Sequence, residues 1–226
     1  MSGYRSRRAT VQKNFVRVEG TLKLPLDFSN SVDDGIQGVF PELFYGFYNT
    51  SGVGMDIGVM CRGNSGWKVF CYGDIVEGHG WSQEVPIHLS KGQIITIGAQ
   101  VGANDTMICT VNGKSYNFKL NPGKGKLLSG GCQINREMNL VPQSYTGCTL
   151  LKTNAYFKDA QWSHTDLYTV DGTKLKMGSA MTVYDENPDY GEVNYDTSCI
   201  VHSAVADSSY VKDIVTIDFR LRQICK

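Results

Sequence analysis

The sequence predicts an all-β protein built as an antiparallel two-sheet sandwich, and three observations carry that expectation. First, Val53 to Gly73 reads VGMDIGVMCRGNSGWKVFCYG. Met55, Ile57, Val59 and Cys61 alternate with Asp56, Gly58 and Met60, the chain turns through Arg62 to Gly66, and Trp67, Val69 and Cys71 then alternate with Lys68, Phe70 and Tyr72. This is the period-2 pattern of two half-buried strands in a hairpin. Second, Asn112-Gly113 separates two further strand-like runs, Thr106 to Val111 and Lys114 to Leu120, and this dipeptide accepts the two positive φ angles of a type I′ turn. Third, no long run keeps helical spacing, whereas 25 glycines and 12 tyrosines suit many strands joined by glycine-bearing turns.

The remaining elements follow in order. Phe15 to Leu24 alternates and is closed by Pro25, which cannot donate to a ladder. Asp27 to Gln37 is polar and turn-rich, a loop. Phe40 to Tyr48 is an aromatic strand in which Gly46 predicts a bulge or a close approach from outside the sheet. Gly73 to Ser90 reads as a longer surface connection with one short strand at its end. Ile94 to Val101, Gly131 to Val141 and Ala155 to Trp162 are strands, and Leu167 to Leu175 is a hairpin around Asp171-Gly172. Tyr184 to Asp196 reads as an acidic, tyrosine-rich loop. Asp213 to Leu221 is a closing strand, expected beside the first one. About a dozen short strands with no internal repeat and no linker indicate a sandwich or jelly roll rather than a propeller. Residues 1–13 are expected to be a solvated tail carrying Arg5, Arg7 and Arg8, with one domain over 14–226.

Charge and cysteine content narrow the function classes. Twenty-two basic and 22 acidic residues cancel, so no global field would draw the protein to nucleic acid, and no nucleic-acid partner is expected. No apolar run reaches the roughly 20 residues of a membrane span. The N-terminus lacks the apolar core of a secretory signal, so the chain reads as cytoplasmic if taken literally and as extracellular if a signal has been removed. Seven cysteines occur without a C-x-x-C pair, so spacing gives no zinc site. In the hairpin register that sets Cys61 opposite Trp67, Ile57 faces Cys71, so Cys61 and Cys71 do not pair. Cys61 and Cys109 read as buried thiols, while Cys132 with Cys148, or Cys199 with Cys225, could bridge in an oxidising compartment. The acidic run Asp185, Glu186, Asn187, Asp189 and Glu192 lacks the spacing of a calcium loop. No metal and no cofactor are expected.

The stretch with most bearing on function is Gly131 to Val141. Gln133, Asn135, Glu137 and Asn139 share one parity and form a comb of amides and a carboxylate along one sheet face.

The first strand with Gly20, the GMDIGVM to WKVFCYG hairpin, the ICTVNGKSYNF hairpin, the QINREMNL strand and the closing VTIDF strand together resemble the concanavalin A-like lectin and glucanase sandwich, a jelly roll. The resemblance implies a polysaccharide or other glycan lying on one concave sheet face. Tyr45, Phe70, Tyr72, Trp81 and Trp162 would be its aromatic platforms and Gln133, Asn135, Glu137 and Asn139 its hydrogen-bonding comb. Phe70 and Tyr72 fit best, because their parity opposes that of the core-facing Trp67, Val69 and Cys71. The resulting expectation is a non-catalytic, lectin-like or surface protein, with no catalytic residue assigned.

Enzymatic alternatives are a glycoside hydrolase and a polysaccharide lyase. For the hydrolase the E-x-D-x-x-E strand of such glucanases is missing, and Asp56 with Glu137 is the available carboxylate pair. For the lyase, PIH, NREMN and AYFKDAQW resemble fragments of alginate-lyase motifs and nominate Arg136, Asn135, His88 and Tyr156, in an altered order along the chain. A structural or protein-interaction sandwich without a glycan ligand is the third reading.

Overall fold

The computed structural model describes residues 4–29, 39–62, 66–78, 82–142, 155–188, 199–206 and 209–221. In chain order its strands are β1 (Tyr4–Thr10), β2 (Phe15–Lys23), β3 (Asp27–Ser29), β4 (Val39–Tyr48), β5 (Gly54–Cys61), β6 (Trp67–Tyr72), β7 (Ser82–Pro86) and β8 (Ile94–Val101). They continue as β9 (Thr106–Val111), β10 (Lys114–Lys119), β11 (Gln133–Pro142), β12 (Tyr156–Thr169), β13 (Lys174–Lys176), β14 (Thr182–Pro188), β15 (Ile200–Ala206) and β16 (Val211–Asp218). Among the described residues one short α-helix, α1 (Lys124–Ser129), precedes β11.

Two antiparallel sheets stack face to face in a concanavalin-like jelly-roll sandwich. The first runs β14-β1-β11-β4-β5-β6-β7; the second runs β10-β9-β8-β2-β12-β16-β15, with β3 and β13 also paired to β12. Inward-facing residues of both sheets make one core that includes Phe47, Ile57, Val59, Val69, Val18, Leu22, Ile97, Cys109, Trp162 and Val215. Each large apolar side chain so buried contributes roughly 1.5–3 kcal/mol against its exposed state.

The central hairpin has the predicted register, with Cys61 opposite Trp67, Val59 opposite Val69 and Ile57 opposite Cys71. The Asn112-Gly113 turn joins β9 to β10 with positive φ at both residues, 49° and 79°. Strand β12 is longer than its sequence pattern indicated. Asp159 and His164 take positive φ, 56° and 44°, close to shifts in its register with β16 and β2. Such bulges interrupt the alternation that would otherwise mark one continuous strand.

Four expectations are corrected. Residues 4–10 are a strand between β11 and β14, not a tail. The apolar alternation is missing there because the inward positions Ser6 and Arg8 are satisfied by buried polar partners: Arg8 forms a two-bonded ion pair with Asp213 at 2.8 and 2.7 Å. The Tyr184 to Asp196 segment starts as the edge strand β14, and residues 189–196 lie outside the described residues. Asp27 to Ser29 pairs with β12 rather than looping. The closing strand β16 does not touch β2, because β12 lies between them.

Gly46 also departs from expectation. β4 runs through it without a bulge, Asn135 on one side and Asp56 on the other. The close approach comes from the sheet itself: a Cβ there would stand 2.6 Å from Tyr48 Cε2 and 3.2 Å from Asp56 Oδ1.

Cys71, Cys109 and Cys132 are buried free thiols, and Cys61 and Cys199 are buried as well. Cys148 and Cys225, the partners considered for Cys132 and Cys199, lie outside the described residues. Burial pushes the Cys109 and Cys132 thiols up to about 12, and only thiolates alkylate readily. Iodoacetamide at pH 8 is therefore expected to leave Cys71, Cys109 and Cys132 unmodified in the folded protein and to label them after denaturation. Peptide mapping by mass spectrometry reads this directly.

Candidate functional site

The outward face of the first sheet carries a groove of about 840 Å³. Directly opposed residues in adjacent strands share a face, so the registers set its floor out in rows. One row is Ala9, Asn135, Gly46, Asp56 and Tyr72; the next is Arg7, Glu137, Phe44, Gly58 and Phe70; the third is Arg5, Asn139, Glu42, Met60 and Lys68. Gln133 and Tyr48 continue the floor at one end, where the β4–β5 turn, Asp74, Lys13 and Lys124 close in.

At the centre lies Glu137, 3% exposed. The amides of its strand neighbours flank it, Asn135 Nδ2 donating to Oε1 at 3.1 Å and Asn139 Nδ2 to Oε2 at 3.4 Å. One strand over and one row along sits Glu42, 4% exposed, a diagonal relation that separates such residues by about 7–8 Å. Desolvation raises the Glu42 carboxyl to about 8, and Glu137 and Glu84 push it the same way while Arg62 opposes them. Glu42 is therefore a neutral acid at pH 7.

Three buried acceptors on this floor have no hydrogen-bond partner among the described residues: Glu42 Oε1, Asn135 Oδ1 and Asn139 Oδ1. Buried polar atoms are nearly always paired, so these three mark where a ligand's donors or ordered water would bind. Asp56 is held at the far side by the Tyr48 hydroxyl, 2.7 Å. Arg7 is tied to Asp185. The groove thus brings together a neutral buried carboxyl, a second buried carboxyl, amide acceptors and a basic flank.

The predicted comb is placed as a unit, with Gln133, Asn135, Glu137 and Asn139 all lining the groove. The aromatic set divides. Tyr72 lines the groove and is half-buried. Phe70 shares the outer face, as its parity indicated, but is buried in a small cluster with Phe40, Phe44, Met60 and Val141. Tyr45 and Trp162 face the core between the sheets, their rings 4.6 Å apart. Trp81 lies outside the described residues.

Asp56 and Glu137 share the groove with β4 between them, whereas Glu42 stands on the strand next to Glu137. Sequence reading passed over Glu42 because it opens an aromatic run. Its signal was parity: Glu42, Phe44, Gly46 and Tyr48 alternate against the core-facing Leu43, Tyr45 and Phe47.

The lyase quartet does not converge. Arg136 is on the opposite face of β11 from Asn135, reaching inward to Asp213, Thr165 Oγ1 and the Val211 carbonyl. Tyr156 lies on the other sheet, bonded to Asp27 at 2.8 Å, and His88 is exposed beyond β7. The period-2 rule separates Arg136 from its neighbours: adjacent residues of a strand point to opposite faces.

No family model matches the chain, and no curated protein sequence matches it. Among solved structures it is similar to scytalido-glutamic peptidase bound to a transition-state analogue inhibitor, at 12% identity and a TM-score of 0.55, over 96% of this chain and 98% of that one. It is also similar to SCP-B, a member of the eqolisin family of peptidases, in complex with the tripeptide Ala-Ile-His, at 12% identity and a TM-score of 0.53, over 96% of this chain and all of that one. At these identities the likeness to the two peptidases is one of fold, and the sheet topology gives that fold as an antiparallel two-sheet sandwich.

Proposed function

We propose that this protein is a hydrolase that cleaves an extended polymer lying along β11, with Glu42 as general acid and Glu137 as general base. The observation that carries the reading is the pair of buried carboxyls on one groove floor, one of them neutral at pH 7 and with a buried oxygen that has no hydrogen-bond partner among the described residues. A carboxyl kept neutral at pH 7 can donate a proton, which assigns the acid role to Glu42 and leaves the base role to its neighbour Glu137. In the reaction Glu137 takes a proton from the attacking water, its oxygen adds to the scissile carbon, and Glu42 gives its proton to the departing nitrogen or oxygen. One water is consumed, and the proton gained by Glu137 replaces the one lost by Glu42 through solvent exchange.

A peptide is the substrate we favour. Residues at i, i+2 and i+4 of a strand recur about every 6.8 Å, the same interval at which an extended peptide presents successive N–H groups to one side. The unpaired Asn135 and Asn139 oxygens stand two such intervals apart and match those donors. The two peptidases of like fold carry a transition-state analogue and a tripeptide, which accords with this choice. A glycan held without cleavage is the second reading, favoured by Tyr72 at one side of the groove and planar amides suited to hydroxyl groups on β11 across its floor.

The test is incubation with an unbiased peptide library and, in parallel, with neutral and acidic polysaccharides, with new termini or reducing ends read by mass spectrometry. Peptide cleavage that falls at least about a hundredfold in Glu137→Gln is the expected result. Retention on polysaccharide without new ends would replace the hydrolase with the glycan binder.

A further inference from the structure

Behind Glu137, on the inner face of β11, two side-chain contacts cross the sandwich to the second sheet. The Trp162 indole Nε1–H donates to the Glu137 main-chain carbonyl at 3.2 Å, with Trp162 wholly buried. One residue earlier, the Arg136 side chain is fully enclosed and donates to Thr165 Oγ1 and the Val211 carbonyl, both at 2.8 Å, and to Asp213. Asp213 is in turn held by Arg8 and by His202 Nε2 at 2.9 Å. A core could satisfy the same volume with apolar groups, and often with equal stability. What this arrangement adds is direction: it ties the peptide plane that follows Glu137 to β12 and the side chain that precedes Glu137 to β12 and β16.

We propose that Trp162 and the Asp213-anchored Arg136 are positioning residues for Glu137, setting the backbone from which its carboxylate projects into the groove. The proposal rests on the hydrolase reading for its catalytic consequence. Its physical basis is that a general base must be held to within about 0.5 Å of its working position and that a displacement of about 1 Å costs on the order of a hundredfold in rate. A strand pinned only by its ladder slides and twists with its neighbours. A strand also bonded from behind does not.

The experiment compares Trp162→Phe, which keeps a ring against Tyr45 but removes the donor, with Trp67→Phe, a core tryptophan change at a site with no bond to β11. The expected result is a fall of about tenfold in kcat with KM unchanged for Trp162→Phe, and no change in kcat for Trp67→Phe at a similar loss of thermal stability. Equal effects of the two changes, or a loss confined to thermal stability, would overturn the proposal. A second readout needs no substrate. The carboxyl carbon resonance of Glu137, titrated by NMR, should move in Trp162→Phe and stay in place in Trp67→Phe, and an unmoved titration in both would refute the positioning role. Should Glu137→Gln retain full cleavage, the hydrolase reading fails by itself, and this titration still decides whether Trp162 positions the Glu137 side chain.

Discussion

Asp213→Asn is expected to lower the free energy of unfolding by about 3–5 kcal/mol, the usual cost of removing one partner from a buried ion pair. Asp213 is 2% exposed and, among the described residues, is the sole carboxylate in direct contact with two arginines, Arg8 and Arg136. Replacing it leaves two buried guanidinium groups facing an amide that can accept from one direction only. Burial alone would raise the Asp213 carboxyl, but its bonds to Arg8 and His202 and the field of Arg136 win, and it lies far below the usual carboxylate range. The sign of the pH dependence follows. A carboxyl depressed in the folded state contributes stability that is present above the unfolded value of about 3.9 and is lost as pH falls through the folded value. Chemical denaturation at pH 7 and at pH 3 tests both parts: the wild type should lose stability toward pH 3, and Asp213→Asn should lose much less of it.

Glu42→Gln should act in the opposite sense on stability and eliminate cleavage. The folded protein holds the Glu42 proton up to about pH 8, whereas the unfolded chain releases it near 4.3. Between those values the folded state binds more protons, so the wild type loses stability as pH rises through the window, by as much as about 5 kcal/mol at about 1.36 kcal/mol per unit. Glutamine has nothing to ionise, and the variant should show a flatter profile and exceed the wild type above pH 8. Cleavage needs the proton, so wild-type activity should decline as pH rises through about 8, and the variant should retain no more than about a hundredth of it at any pH. An unchanged stability profile in the variant would remove Glu42 as the titrating group. An unchanged rate would remove it as the acid.

Much of this was legible in the sequence, and the reasons differ from one place to the next. The central hairpin and the Asn112-Gly113 turn were readable because register is dictated wherever one face is apolar and because few dipeptides accept two positive φ angles. The comb on β11 was readable for the same reason, since parity places Gln133, Asn135, Glu137 and Asn139 on one face whatever surrounds them. Strand β1 was not, because Arg8 faces inward and its partner Asp213 is 205 residues away; no local pattern announces a buried charge whose counter-ion is so distant. The roles of Tyr45 and Trp162 were unreadable on related grounds. A two-sheet sandwich buries one parity of each strand, and an aromatic side chain gives no sign of which parity that is until the strand's neighbours are known.

The placement of β1 also governs how the molecule reaches this state. Arg7 is bonded to Asp185, 178 residues along the chain, and β1 sits between β11 and β14 with no partner nearer in sequence. Contacts of such separation carry a large loop-closure cost and form late. During synthesis β1 must wait for β11 and β14. The hairpins β4–β5–β6 and β8–β9–β10 have their partners at once, so the sheet can grow from its middle while the Arg7 flank of the groove stays open. The edge of β11 that will receive β1 is exposed during that interval, and a segment of another chain could occupy it. Capture of that edge, rather than loss of the core, is the misfolding route this topology leaves most accessible.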